Sequence, residues 1–137
     1  MHFRLIDQVL ECDSQRIVAV KCVTAAEEYL QDHFPGFPVL PGVFMIEAMT
    51  QAARELLRRK GHGRCVAGRI RGVRYGSFVR PGESLRVEVV LDKEVDSSFE
   101  FRGTGTVVRV DGTTDTAVTG RLTLRPVRLA ALQRVAG

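Results

Sequence analysis

Two side chains in this sequence have types and a spacing suited to proton chemistry. They are His33 and Glu47, separated by 47 − 33 = 14 positions. Imidazole is the side chain best matched to taking a proton near neutral pH. A carboxyl in apolar surroundings is pushed toward its protonated form, so it can give a proton to a leaving hydroxyl. Between them stands Gly42, at the expected start of a helix. Its N–H and the helix dipole could polarise a carbonyl oxygen there. A base, an acid and a carbonyl polariser together describe abstraction of a proton α to a carbonyl with loss of a β-hydroxyl. Residue type alone leaves a bland alternative open. A loop histidine can be purely structural, and a helix glutamate can simply pair with an arginine.

The elements that must position this pair follow from the local sequence. Residues 33–42 contain three prolines and two glycines, which suits a stiff, closely folded loop. From Gly42 no helix breaker occurs until Gly61, so the sequence predicts a helix over about 42–60 that Gly61-His62-Gly63 stops. At 100° per residue Met45, Met49, Ala52 and Leu56 share a line, flanked by Ile46, Ala53 and Leu57. Glu47, Arg54 and Arg58 share the opposite line. Val43, Phe44 and Ala48 make the first turns apolar nearly all round. The helix is therefore expected to be buried at its start and to emerge at its end, with Glu47 as the anomaly on the buried part.

The rest of the chain reads as β structure. Residues 3–12 alternate imperfectly and predict a strand with a bulge. Asp13-Ser14-Gln15 is a turn, and residues 16–24 are a β-branched strand. Residues 25–30 predict a short helix capped by Thr24. After the long helix come strands over 64–75, 85–91, 99–110 and 114–124. The third of these is interrupted by Gly103 and Gly105. Asp111-Gly112 predicts a two-residue hairpin turn. One long helix with an apolar stripe and about six antiparallel strands imply an α+β layout, the helix lying on one face of a curved sheet.

Composition sets the bounds. The 137 residues suit a single domain spanning 1–137. The balance of 45% hydrophobic and 26% charged residues belongs to soluble globular chains. No apolar run approaches the ~20 residues of a membrane span. The N-terminus has no signal-peptide layout, so the expected compartment is the cytoplasm. Cys12, Cys22 and Cys65 lack metal or disulfide spacing and read as reduced core or strand residues. His2 and His62 read as surface histidines, and no metal or cofactor site is expected. The absence of Trp and the low aromatic content argue against single-stranded nucleic acid as a partner.

The motif His33-Phe34-Pro35-Gly36-x-Pro38-Val39-x-Pro41-Gly42-Val43, followed by Glu47-Ala48-Met49-x-Gln51-Ala52, closely resembles the FabZ-type β-hydroxyacyl-acyl-carrier-protein dehydratases. Arg80-Pro81-Gly82-Glu83-Ser84-Leu85 and the Leu5-Ile6-Asp7-Gln8-Val9 opening extend the resemblance over most of the chain. It implies a hotdog fold, a long central helix wrapped by a curved antiparallel sheet. It implies His33 and Glu47 as catalytic residues, with Gly42, Val43 and Phe34 binding substrate and the Gly42 N–H polarising the thioester carbonyl. It implies a homodimer, or a trimer of such dimers, with His33 of one subunit facing Glu47 of the other. It implies an acyl carrier protein as partner, its phosphopantetheine carrying the (3R)-hydroxyacyl substrate, and no further cofactor.

Some residues depart from the family pattern. Cys65-Val66 stands where many relatives have an aromatic pair, and Tyr75-Gly76-Ser77-Phe78 replaces a basic, proline-containing segment. These departures point toward a specialised pathway such as polyketide, aryl polyene or lipid-A supply. The carriers of this pathway are acidic. Arg58, Arg59, Lys60, Arg64, Arg69, Arg71 and Arg74 fall in a stretch without acidic residues and are the expected docking face. Two other readings compete. One is a hotdog acyl-CoA thioesterase, against which His33 argues. The other is a non-catalytic acyl-thioester-binding module, against which the His33/Glu47 pair argues.

Overall fold

The computed structural model describes residues 4–24 and 39–127. His33, Phe34, most of the Pro/Gly loop, the expected short helix over 25–30, His2 and the C-terminal tail lie outside the described residues.

Two strands open the chain, β1 (Gln8–Cys12) and β2 (Arg16–Cys22). Asp13 Oδ1 accepts the backbone N–H groups of Gln15 and Arg16, both at 2.8 Å, and so shapes the turn between them. The expected bulge is present as a register shift between Val9 and Glu11. The long helix α1 follows (Gly42–Arg59), then β3 (Cys65–Tyr75), β4 (Ser84–Val95), β5 (Ser98–Val108) and β6 (Thr114–Pro126). Every pairing is antiparallel, and the sheet order is β1-β2-β4-β5-β6-β3. Helix α1 packs on β2, β3, β4, β5 and β6, so the sheet wraps around it. This is the α+β hotdog arrangement.

Period-two patterning explains which face is covered. Leu85, Val87 and Val89 of β4, and Phe99, Phe101 and Val107 of β5, are buried, while their neighbours face outward. The helix meets this surface with Met45, Ile46, Met49, Ala52, Ala53, Leu56 and Leu57, the stripe read from the sequence. Gly103 does not interrupt β5. A Cβ there would lie 2.5 Å from Met49 Sδ, so the glycine makes room for a helix side chain packed against the strand.

The helix ends as its sequence predicts. His62 N–H donates to Leu57 O at 3.0 Å and Gly61 N–H to Arg58 O at 3.0 Å, with Gly61 at φ +90°. That is a Schellman cap. Among the described residues, no helix is long and apolar enough to cross a membrane.

Three expectations need correction. Asp111-Gly112 is not a two-residue turn. Gly112 N–H donates to Arg109 O at 2.9 Å and Arg109 N–H to Thr113 O at 2.9 Å, which closes a three-residue loop over 110–112. Gly112, at φ +87°, takes its left-handed last position. The two-residue hairpin lies instead at Asp96-Ser97, joining a β4 that runs on to Val95. Both turn residues have positive φ, 49° and 65°. His62 is not a free surface residue, because its ring meets the edge of Phe99 at a centroid distance of 4.6 Å.

Candidate active site

Glu47 leaves the apolar stripe because its direction on α1 is shared by polar residues. Gln51, Arg54 and Arg58 follow at helical spacing, and together they line an open groove of about 750 Å³ whose far wall is Gly63, Arg64, Cys65 and Val66. The expectation of a carboxylate buried among apolar residues is therefore corrected. The Glu47 side chain is 43% exposed and opens onto a groove shared with Gln51 and Arg54. Helix position decides this, since residues 47, 51, 54 and 58 face away from the sheet that covers Met45, Met49 and Leu56.

Two groups approach its Oε1. Gln51 Nε2 is 3.4 Å away and Arg54 Nη1 is 3.6 Å away. The Gln51 amide is held from behind. Its own Oε1 accepts the Leu5 backbone N–H at 2.9 Å, which turns the NH₂ end toward Glu47. Cys65 lies buried across the groove. Burial pushes its thiol pKa up, and the charge of Arg54 partly offsets this.

Gly42 and Val43 stand at a different cavity. The N-cap is Pro41, which offers no side-chain hydrogen bond, and the first turn carries no acidic residue. Among the described residues, therefore, no first-turn or N-cap side chain compensates the positive end of the dipole. A pocket of about 390 Å³ opens beside it, lined by Pro41, Gly42, Val43, Met45, Tyr75 and Phe78 among others. The Tyr75 ring lies so close over Gly42 that an added Cβ would meet it at 2.6 Å. Val43 is 67% exposed, so the first turn is less covered than its composition suggests. Glu47 and Gly42 line separate cavities within one chain, and the described residues do not bring them together.

The seven cations behave differently from one another. Arg58 and Arg59 both bind Glu55, with shortest distances of 2.5 and 2.9 Å. They pull its carboxyl down to a pKa of about 2. Arg71 pairs with Glu100 at 3.6 Å. Lys60, Arg64, Arg69 and Arg74 are exposed, without an ion pair among the described residues.

Sequence reasoning missed Arg54, Tyr75 and Phe78 as site-lining residues. The spacing of Arg54 from Glu47 was visible, but its reach back along the helix to that carboxylate was not. Tyr75 and Phe78 stood out only as departures from a family pattern.

A curved antiparallel sheet wrapped around one long helix defines the class of hotdog-fold proteins. The comparisons narrow it. The family model described as ApeI dehydratase, of the ApeI-like family, matches residues 9–113. A 3-hydroxyacyl-[acyl-carrier-protein] dehydratase FabZ of Roseiflexus castenholzii is 44% identical over 115 residues, 80% of this chain and 78% of that protein. The FabZ of Roseiflexus sp. strain RS-1 is 46% identical over 96 residues, 66% of each chain. The solved dehydratase heterocomplex ApeI:P from Xenorhabdus doucetiae superposes with a TM-score of 0.75 at 22% identity, over 98% of this chain and 90% of that one, a likeness of fold. The chain belongs to the FabZ/ApeI-like family of hotdog dehydratases.

Proposed function

We propose that the protein dehydrates a (3R)-hydroxyacyl thioester, carried on acyl carrier protein, to the trans-2-enoyl thioester. The supply route is fatty acid synthesis or a related specialised pathway, and the expected compartment is the cytoplasm. The family membership supports the reaction class. The observation that carries the site is the Glu47 carboxylate, oriented by Gln51 at the mouth of a groove.

In this reading the thioester carbonyl accepts from the Gly42 N–H at the uncompensated helix start, which acidifies the α-carbon. His33 takes the α-proton, with Phe34 beside it. The C–O bond to the β-hydroxyl breaks, and the oxygen leaves as water with a proton delivered through Glu47. The acyl chain lies against Val43.

A second copy of the chain completes the site. Glu47 and Gly42 open onto separate cavities of one protomer, so a substrate spanning both functions needs a further wall. β3 is one of the two outer strands of the sheet and exposes Val66, Ile70 and Tyr75, with Val43 and Phe78 also exposed. An exposed apolar edge strand, with no strand paired to its outer side among the described residues, favours a homodimer, alone or as a trimer of dimers. The carrier docks on the basic stretch beside the groove, where Lys60, Arg64, Arg69 and Arg74 are the cations free of carboxylates among the described residues.

The test is product analysis on a 3-hydroxyacyl carrier-protein thioester. Enoyl thioester supports the dehydratase. Free carrier thiol supports a thioesterase, and unchanged substrate a binding module.

A further inference from the structure

We propose that Arg54 is a positioning residue for the Glu47 carboxylate. The inference rests on the dehydratase reading and deepens it. Arg54 stands 54 − 47 = 7 positions after Glu47, about two helical turns. Long helical side chains lean back toward the N-terminus, so the guanidinium returns along the groove toward Glu47. Its Nη1 reaches 3.6 Å from Glu47 Oε1, the same oxygen that Gln51 Nε2 approaches at 3.4 Å. Two donors from the C-terminal side therefore converge on one carboxylate oxygen. Among the described residues no donor approaches Oε2, which is the oxygen that can face a substrate hydroxyl. The distances are long, as catalytic contacts often are before substrate closes the site.

The posture of Arg54 costs free energy. Its Nε is sealed from solvent and has no hydrogen-bond partner among the described residues. A surface arginine turned to water would keep all its donors solvated. Arg54 instead leaves one buried and unpaired while its Nη1 reaches the carboxylate. A planar guanidinium also fixes direction in a way that an ammonium does not. Arg54 acts through Glu47 and does not itself touch the reacting atoms.

The test is steady-state kinetics on a 3-hydroxyacyl carrier-protein thioester with Arg54→Met, Arg54→Lys, Glu47→Gln and the double variant Glu47→Gln/Arg54→Met. Misplacing a reacting group by about an ångström costs roughly 10²-fold. Arg54→Met should lower kcat on that order, with KM within about twofold and an unchanged melting curve. Arg54→Lys should recover part of the loss. In the Glu47→Gln background the Arg54 change should have no further effect, because the group it positions is gone. An unchanged kcat in Arg54→Met overturns the proposal. So does a rise in KM at constant kcat, which would make Arg54 a substrate-binding group, or an additive loss in the double variant. If Arg54→Met does not fold, Arg54→Gln carries the same comparison. A wild-type protein that forms no enoyl product overturns the dehydratase reading itself, and this inference with it.

Discussion

The Leu5 backbone N–H donates to Gln51 Oε1 at 2.9 Å, a bond between the start of the chain and the face of α1 that carries Glu47. It gives one glutamine two tasks. Its carbonyl end satisfies a backbone donor, and its amide end points at the carboxylate. Substitutions can separate them. Gln51→Leu leaves the Leu5 N–H unpaired and should cost about 1–2 kcal/mol, a fall in Tm of about 3–6 °C. Gln51→Glu keeps an acceptor for Leu5 but sets a second carboxylate against Glu47. It should melt close to wild type and lose at least ~10-fold in kcat, since general acid–base groups contribute ~10²–10⁴-fold. Circular dichroism melts and carrier-substrate kinetics on the two variants check the split.

Gly103 should resist replacement for a packing reason. A Cβ would lie 2.5 Å from Met49 Sδ, and Met49 is itself fully buried between helix and sheet. Gly103→Ala should destabilise by about 1–3 kcal/mol through overpacking. Chemical denaturation should show a lower midpoint with an unchanged slope.

Glu55 gives the stability a defined acid dependence. Its folded pKa is lowered from 4.5 to about 2, first by the Arg58 hydrogen bond and then by Arg59. A depressed carboxyl pKa stabilises the fold fully above the unfolded value. That contribution is lost as pH falls from about 4.5 toward 2. Exposed helix pairs of this kind contribute only weakly to stability, because solvent screens them. Glu55→Gln should therefore melt lower than wild type at pH 7, and the two melting curves should converge toward pH 2. A constant gap across that window would exclude the pair as its source.

The same pairing changes which cations serve the carrier. Arg58 and Arg59 are engaged by Glu55, whereas Lys60 and Arg69 are exposed without an ion pair among the described residues. Lys60→Glu/Arg69→Glu should raise the apparent KM for carrier-bound substrate more than Arg58→Glu/Arg59→Glu does. Turnover of a small thioester mimic should stay level. The effect should shrink with added salt, because exposed charges act mainly on encounter. Equal losses on both substrates would move the docking face elsewhere.

The helix, its Gly61 stop and the buried stripe from Met45 to Leu57 were legible because burial on a helix repeats every 3.6 residues. The strands were legible through β-branched runs and alternation, and the family motif named the fold. The Asp96-Ser97 hairpin was not, because neither residue is the glycine that usually marks positive φ; Asp at least tolerates it through its short polar side chain. The setting of Glu47 was misread because apolar neighbours in sequence were taken for neighbours in space. Residues 45, 46 and 48 point to the sheet while 47 points away. The reach of Arg54 back along two turns, and of Tyr75 over Gly42, depends on side-chain direction, which no periodicity encodes.

We propose that His33 of one subunit and Glu47 of another form one dehydration site. Mixing His33→Ala and Glu47→Gln chains under conditions of proven subunit exchange tests it most directly. Each variant alone should fall ~10²–10⁴-fold in enoyl product formation from a 3-hydroxyacyl carrier protein. The mixture should regain a substantial part of wild-type activity, because a mixed dimer holds one site with both residues intact. A mixture no more active than its components, with exchange demonstrated, would contradict the shared site. Near-full activity of either variant alone would contradict the role of that residue.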